Sequence, residues 1–90
     1  MGHEPREKPA RLAEKLKQIR LELGLSQNQM LDRLGLSEKL FRSAISGYEL
    51  GRREPSLLVL LKYARLAGVY VDILIDDELN LPENLTTNVR

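Results

Sequence analysis

Near the start of the chain, Leu12, Leu16, Ile19 and Leu23 recur at spacings of four, three and four. That rhythm draws one apolar stripe along a helix, with Pro9 suited to its first turn. Gly24 stops it, because a glycine just past a helix end accepts the left-handed conformation. Ser26 offers a side-chain oxygen to start a second helix, which runs to about Leu34 with Met30, Leu31 and Leu34 inward. Gly35 ends that helix as Gly24 ended the first. The stretch Ser37 to Arg42 fits two readings: a helix running unbroken to Leu50, or a loop with one helical turn. The second is preferred, with the main third helix beginning near Arg42 or Ser43. Ile45 and Tyr48 then face the core, and Gly51 closes the helix before the turn Arg52-Arg53-Glu54-Pro55. Ser56 caps a fourth helix from Leu57 to Ala67, in which Leu57, Leu60, Leu61 and Ala64 repeat at helical spacing. Gly68 stops it. Val71 to Ile75 suits a short fifth helix, although its β-branched residues also fit a strand. The pattern predicts an all-α domain over residues 9–78. It is flanked by a flexible arm at 1–8 and an irregular or disordered tail at 79–90.

Composition narrows the class. Ninety residues suffice for one core and no more. With one Phe, three Tyr and no Trp, that core is aliphatic and leucine-rich. There is no cysteine, so disulfides and thiolate metal sites are excluded and a reducing cytoplasm is the expected setting. No apolar run reaches the length of a membrane span, and the charged, proline-bearing start does not resemble a signal peptide. The net charge of +1 hides an asymmetry. Residues 1–68 hold 13 Lys/Arg against 8 Asp/Glu, giving +5, and residues 69–90 hold 1 against 5, giving −4. A basic body with an acidic end is compatible with nucleic acid and equally with ordinary solvated charge.

Motifs for catalysis are missing. The single histidine, His3, lies in the arm, and there is no Gly-rich phosphate loop, G-x-S-x-G or H-E-x-x-H. The acidic run Asp76-Asp77-Glu78 reads as a solvated helix end and lacks the oxygen spacing of a calcium loop. No enzyme activity, cofactor or metal is expected, and the chain is too small for a separate effector-binding domain.

Two short helices followed by a basic turn are among the few small devices that place a helix in the DNA major groove. The residues Leu25-Ser26-Gln27, Leu34-Gly35-Leu36-Ser37, Ile45-Ser46, Tyr48-Glu49, Gly51, Arg53, Pro55-Ser56 and Leu60-Leu61 stand in this order. Ala64, Gly68-Val69 and Val71-Asp72 continue the series. Together they resemble the Cro/repressor-like (XRE-type) helix-turn-helix DNA-binding domain over roughly residues 10–76. The resemblance implies a compact five-helix, lambda-repressor-like fold that binds double-stranded DNA. Arg42, Ser43, Ala44 and Gly47 then align with base-facing positions, and Glu49 with a residue that pairs with a nearby arginine, here Arg53. Two departures mark this chain. Between Gly35 and Ile45 it carries about four residues more than the usual spacing, and Leu31 stands where a small residue is common.

The residues themselves carry parallel readings. Gln27, in the first turn of the second helix, can reach a phosphate or brace a side chain of the recognition helix. Arg42 has the fork that matches guanine O6 and N7, and can equally grip a phosphate. Ser46 can bond a phosphate or its own helix. Gly47 costs roughly 0.5–1 kcal/mol relative to alanine in mid-helix, so it marks either close backbone approach to DNA or a helix break. Arg52 and Arg53 can hold the DNA backbone or serve solubility, and Lys17 and Arg20 are weaker phosphate candidates. By the same resemblance, Leu58, Val59 and Ile73 stand where the family often has polar or charged groups, and Tyr70 joins them, which suggests a homodimer surface or a slightly wider core. The expected function is sequence-specific DNA-binding regulation of transcription through a recognition helix near residues 42–50. The alternative is a protein-interaction module on the same fold, antitoxin-like or an adaptor.

Overall fold

In a computed structural model, residues 7–85 are described. Most of the expected N-terminal arm, with His3, and the last five residues of the expected tail lie outside them. Five helices follow in order: α1 Leu12–Glu22, α2 Gln27–Arg33, α3 Arg42–Leu50, α4 Leu57–Ala67 and α5 Val71–Ile75. No strand occurs among the described residues, so Val71 to Ile75 takes the helical option. No helix among them is long and apolar enough to cross a membrane.

The boundaries follow from local chemistry. At α2, the Ser26 hydroxyl accepts from the Gln29 N–H at 3.0 Å while the Gln29 side chain accepts from the Ser26 N–H at 2.8 Å. This reciprocal pair satisfies two of the donors a helix start leaves free. Ser56 does half of the same for α4, accepting from Val59 N–H at 3.2 Å. Gly35 and Gly51 sit at φ +75°, where a side chain would be strained. Between α2 and α3 the extra residues form one helical turn, in which the Leu36 carbonyl accepts from the N–H groups of Lys39 and Leu40. Leu36 is buried and Leu40 packs against the core, so two leucines pin the insertion to the domain.

Leu16, Ile19, Met30, Ile45, Tyr63 and Leu74 are fully buried at the centre. α3 packs between α1 and α2, while α5 closes against α1 and α4. The inward face of α4 departs from expectation. Leu57 is 83% exposed, and the buried residues are Val59, Leu60, Tyr63, Ala64 and Ala67. Both sets repeat at helical spacing, and the run Leu57 to Leu61 contains no polar residue to mark an outer side. Helical periodicity alone therefore leaves the rotation of α4 undetermined.

The far end of the domain is closed by polar groups. Lys15 lies on the buried stripe of α1 beside Leu12, Leu16 and Ile19. Its ammonium donates to the carbonyls of Ile73, Asp76 and Leu79 at 2.7, 3.0 and 2.8 Å. Three donors meet three acceptors, so the buried charge is satisfied and the C-terminal end of α5 is capped. Burial pulls the Lys15 pKa below its ordinary value, and the Arg11 charge adds to the shift. In return, the Asp77 carboxylate accepts from the Ala10 and Arg11 N–H groups at 2.9 and 3.0 Å, at the entrance to α1. Arg11 also donates to the Asp77 carbonyl and to the Asn80 side chain. Asp76-Asp77-Glu78 is thus part of a latch onto α1. The segment 79–85 is irregular but held: Leu79 is bonded to Lys15, and Leu81 and Leu85 pack on the core.

Replacing Lys15 with methionine keeps the bulk but strands three carbonyls. Hydrogen bonds to charged groups contribute about 1.5–3 kcal/mol each, and one such loss lowers the melting temperature of a domain this size by roughly 10 °C. Calorimetry on Lys15→Met is expected to show at least that fall. Asp77 titrates below its ordinary value of 3.8, held there by the backbone N–H groups of Ala10 and Arg11. Its contribution is therefore full above 3.8 and is lost as pH falls through the lower folded value. Asp77→Ala is expected to melt below the wild type at neutral pH, with the gap narrowing below pH 3.8 in thermal scans.

Candidate nucleic-acid interface

The third helix has two faces. Ala44, Ile45, Tyr48 and Glu49 are buried. Arg42, Ser43 and Leu50 are exposed, with Ser46 and Gly47 half-buried between them. The outward positions 42, 43, 46, 47 and 50 trace one helical stripe, beside the N-terminal end of α2. Arg42, Ser43, Ser46 and Gly47 thus stand together on this stripe. Ala44 does not join them. It is 1% exposed and belongs to the core stripe, so it is placed to pack α3 against the domain and not to meet a base.

A charged network fixes this helix. Glu49 accepts from Arg20 Nε at 2.7 Å and Arg20 Nη2 at 3.0 Å. The third Arg20 nitrogen donates to the Leu25 carbonyl at 2.9 Å, and Gln27 Nε2 donates to Glu49 at 3.2 Å. The partner of Glu49 is therefore Arg20 on α1, not Arg53 as the resemblance implied. Arg20, engaged at every nitrogen and mostly buried, is not available as a phosphate contact. Its hydrogen bonds to Glu49 raise its pKa above an already high value. Of the two roles open to Gln27, the structure shows the bracing one. Arg20 and Glu49 are 29 residues apart in sequence, with nothing local to pair them. Nearby, Tyr63 is buried and its hydroxyl has no partner among the described residues. Burial and the negative charge of Glu49 push its pKa upward.

Arg53 has a different task. Its guanidinium lies 5.8 Å from the centre of the Tyr48 ring, within reach of a cation–π attraction. Its Cβ lies 3.0 Å from where a side chain on residue 47 would begin. The Gly47 carbonyl accepts from both the Arg52 and Arg53 N–H groups, at 2.9 and 3.2 Å. The glycine thus admits the chain's own returning turn, and α3 runs through it unbroken, so the helix break does not occur. Lys8, Arg52 and Arg53 line a surface pocket of about 290 Å³ together with Tyr48 and Gly51. Lys8 was not a candidate from sequence. Its only signal there was a positive charge just before the first helix, which the fold carries to the α3–α4 turn.

A packed α2–α3 pair, with the third helix braced by Glu49 and exposing one stripe, defines a helix-turn-helix protein. The chain belongs to the helix-turn-helix family, whose profile matches residues 16–74, and the expected Cro/repressor-like, XRE-type membership is thereby shown. It is 37% identical over 81 residues to the SPbeta prophage-derived uncharacterized HTH-type transcriptional regulator YonR of Bacillus subtilis (strain 168). That match covers 80% of this chain and 71% of the relative. It is also 37% identical over 68 residues to the uncharacterized HTH-type transcriptional regulator YqaE of the same organism, covering 76% of this chain and 55% of that one. The chain therefore spans about half the length of the second relative.

Removing one member of a mostly buried ion pair costs about 3–5 kcal/mol, because the other is left uncompensated. Glu49→Ala is expected to lose about 3 kcal/mol in urea unfolding. Replacing Arg20 and Glu49 together by apolar residues is expected to recover most of it. Equal losses in the single and double variants would show that the pair itself, and not the stranded charge, carries the effect.

Proposed function

We propose that this protein is a sequence-specific DNA-binding regulator of transcription that sets α3 in the major groove and binds as a homodimer. The observation that supports it most is the outward stripe of α3, held beside the capped start of α2 by the Arg20–Glu49–Gln27 network. Arg42 and Ser43 are exposed at the N-terminal end of α3, where recognition helices meet base edges. Arg42 reads a base by bidentate donation, and Ser43 and Ser46 bond a base edge or a phosphate beside it. At the other end of α3, Lys8, Arg52 and Arg53 line a concave site together with Glu54, three cations to one carboxylate, a balance suited to backbone phosphate.

The names of the relatives, both HTH-type transcriptional regulators, agree with this reading and lend none to the protein-interaction module or to an enzyme. The site of action is the cytoplasm, where the DNA is. The dimer surface centres on Leu58 and Tyr70, which are 70% and 84% exposed, with Leu57 added and Ile73 at its half-buried margin. Val59, expected there, is in the core instead. A two-fold pair would set two copies of α3 about one turn of DNA apart.

Selection of bound duplexes from a random pool is expected to yield an inverted repeat with half-sites about 10 base pairs apart. Arg42→Ala is expected to relax preference at one base per half-site by about 1–3 kcal/mol. Arg52→Ala is expected to weaken all sequences alike and to reduce the slope of log affinity against log salt by about 1. Equal binding of selected and random duplexes at every salt concentration would sink the sequence-specific reading.

A further inference from the structure

The residue that starts the recognition helix is Phe41. It is the chain's single phenylalanine and is 81% exposed. It occupies the N-cap of α3 with an extended backbone, and its side chain caps nothing. At α2 and α4 the same position is a serine whose hydroxyl accepts a helix N–H. Phe41 therefore gives up a cap and leaves a large apolar side chain in water. Its neighbour Leu40, at the end of the same inserted turn, packs on the core. Phe41, unlike Leu40, is turned outward, and it precedes the exposed Arg42 and Ser43.

An aromatic hydrocarbon cannot read hydrogen-bond donors or acceptors. In the major groove, unmodified DNA offers it one apolar mark, the C5-methyl group of thymine. We infer that Phe41 is a specificity-determining residue that packs on a thymine methyl beside the base read by Arg42. The inserted turn between α2 and α3, which places Leu40 inward and Phe41 outward, is the device that presents it. This rests on the placement of α3 in the major groove, and it adds a reading chemistry that the polar side chains of the stripe do not have.

Single replacement of each thymine by deoxyuridine in the selected duplex removes the methyl group and nothing else. Wild-type protein is expected to lose about fourfold in affinity at one position per half-site, equivalent to about 0.8 kcal/mol for one buried methyl group. Phe41→Ser is expected to bind thymine and deoxyuridine equally at that position. It should also melt at a higher temperature than wild type, because a cap is gained. Phe41→Leu is expected to keep most of the discrimination. If Phe41→Ser retains the wild-type thymine-to-deoxyuridine ratio at every position, the inference is overturned while the DNA reading stands. If the wild type does not prefer the selected duplex at all, the DNA reading falls and takes this one with it. A Phe41→Ser protein that reads every thymine normally but no longer self-associates would assign the residue to a protein contact, again against the inference.

Discussion

The arrangement of α1, α2 and α3 depends on one carboxylate. Glu49, near the end of the recognition helix, is buried and accepts three hydrogen bonds from Arg20 and Gln27. Arg20 in turn grips the Leu25 carbonyl in the turn between α1 and α2. One anion thereby ties the first helix, the turn after it, the first residue of the second helix and the last part of the third. Buried ion pairs add little net stability compared with apolar packing of the same volume. What this one supplies is position. Apolar contacts alone let two packed helices slide or rotate by small amounts at little cost. A fork bonded at both oxygens does not, and a base-reading helix has to be held to within a fraction of an ångström.

At the opposite end of α1 a second polar device solves a different problem. A five-residue helix is too short to persist in water on its own packing. Lys15 satisfies carbonyls at and beyond its C-terminus, and Asp77 just past that end returns bonds to the backbone at the start of α1. The two contacts run in opposite directions between the same two segments. This latch bonds Ala10, which lines the same pocket as Lys8, Arg52 and Arg53. It therefore bears on the placement of Lys8 as well as on stability, while the Arg20–Glu49 network holds α3 itself.

Much of this was legible in the chain. Helix starts at Ser26 and Ser56 and stops at Gly24, Gly35, Gly51 and Gly68 are local signals, and local signals survive folding. So did the single turn between Leu36 and Leu40. The outward stripe of α3 was legible once Ile45 and Tyr48 were turned inward, except at Ala44, whose small side chain fits either face. The failures share a cause. Lys15 carries no signal in the sequence, because only the fold brings the carbonyls of Ile73, Asp76 and Leu79 to it. Arg53 reads as the partner of Glu49, four residues away, until α1 brings Arg20 closer. The face of α4 is ambiguous because an unbroken apolar run carries no phase. Each of these is set by a contact that joins residues distant in sequence, which periodicity does not contain.

Gly47 and Phe41 show how the same kind of local anomaly can have opposite origins. Each breaks a rule of helix construction on α3: a glycine in its interior, an uncapped aromatic at its start. At Gly47 the fold accounts for the violation, since the Arg53 side chain fills the space that a side chain there would need. The missing atoms are compensated inside the molecule. At Phe41 nothing among the described residues compensates: the cap is forgone and the ring is in water. A cost that the fold explains points back to the fold. A cost that it leaves unexplained, at the start of the helix that carries Arg42 and Ser43, points outward to whatever that helix end touches.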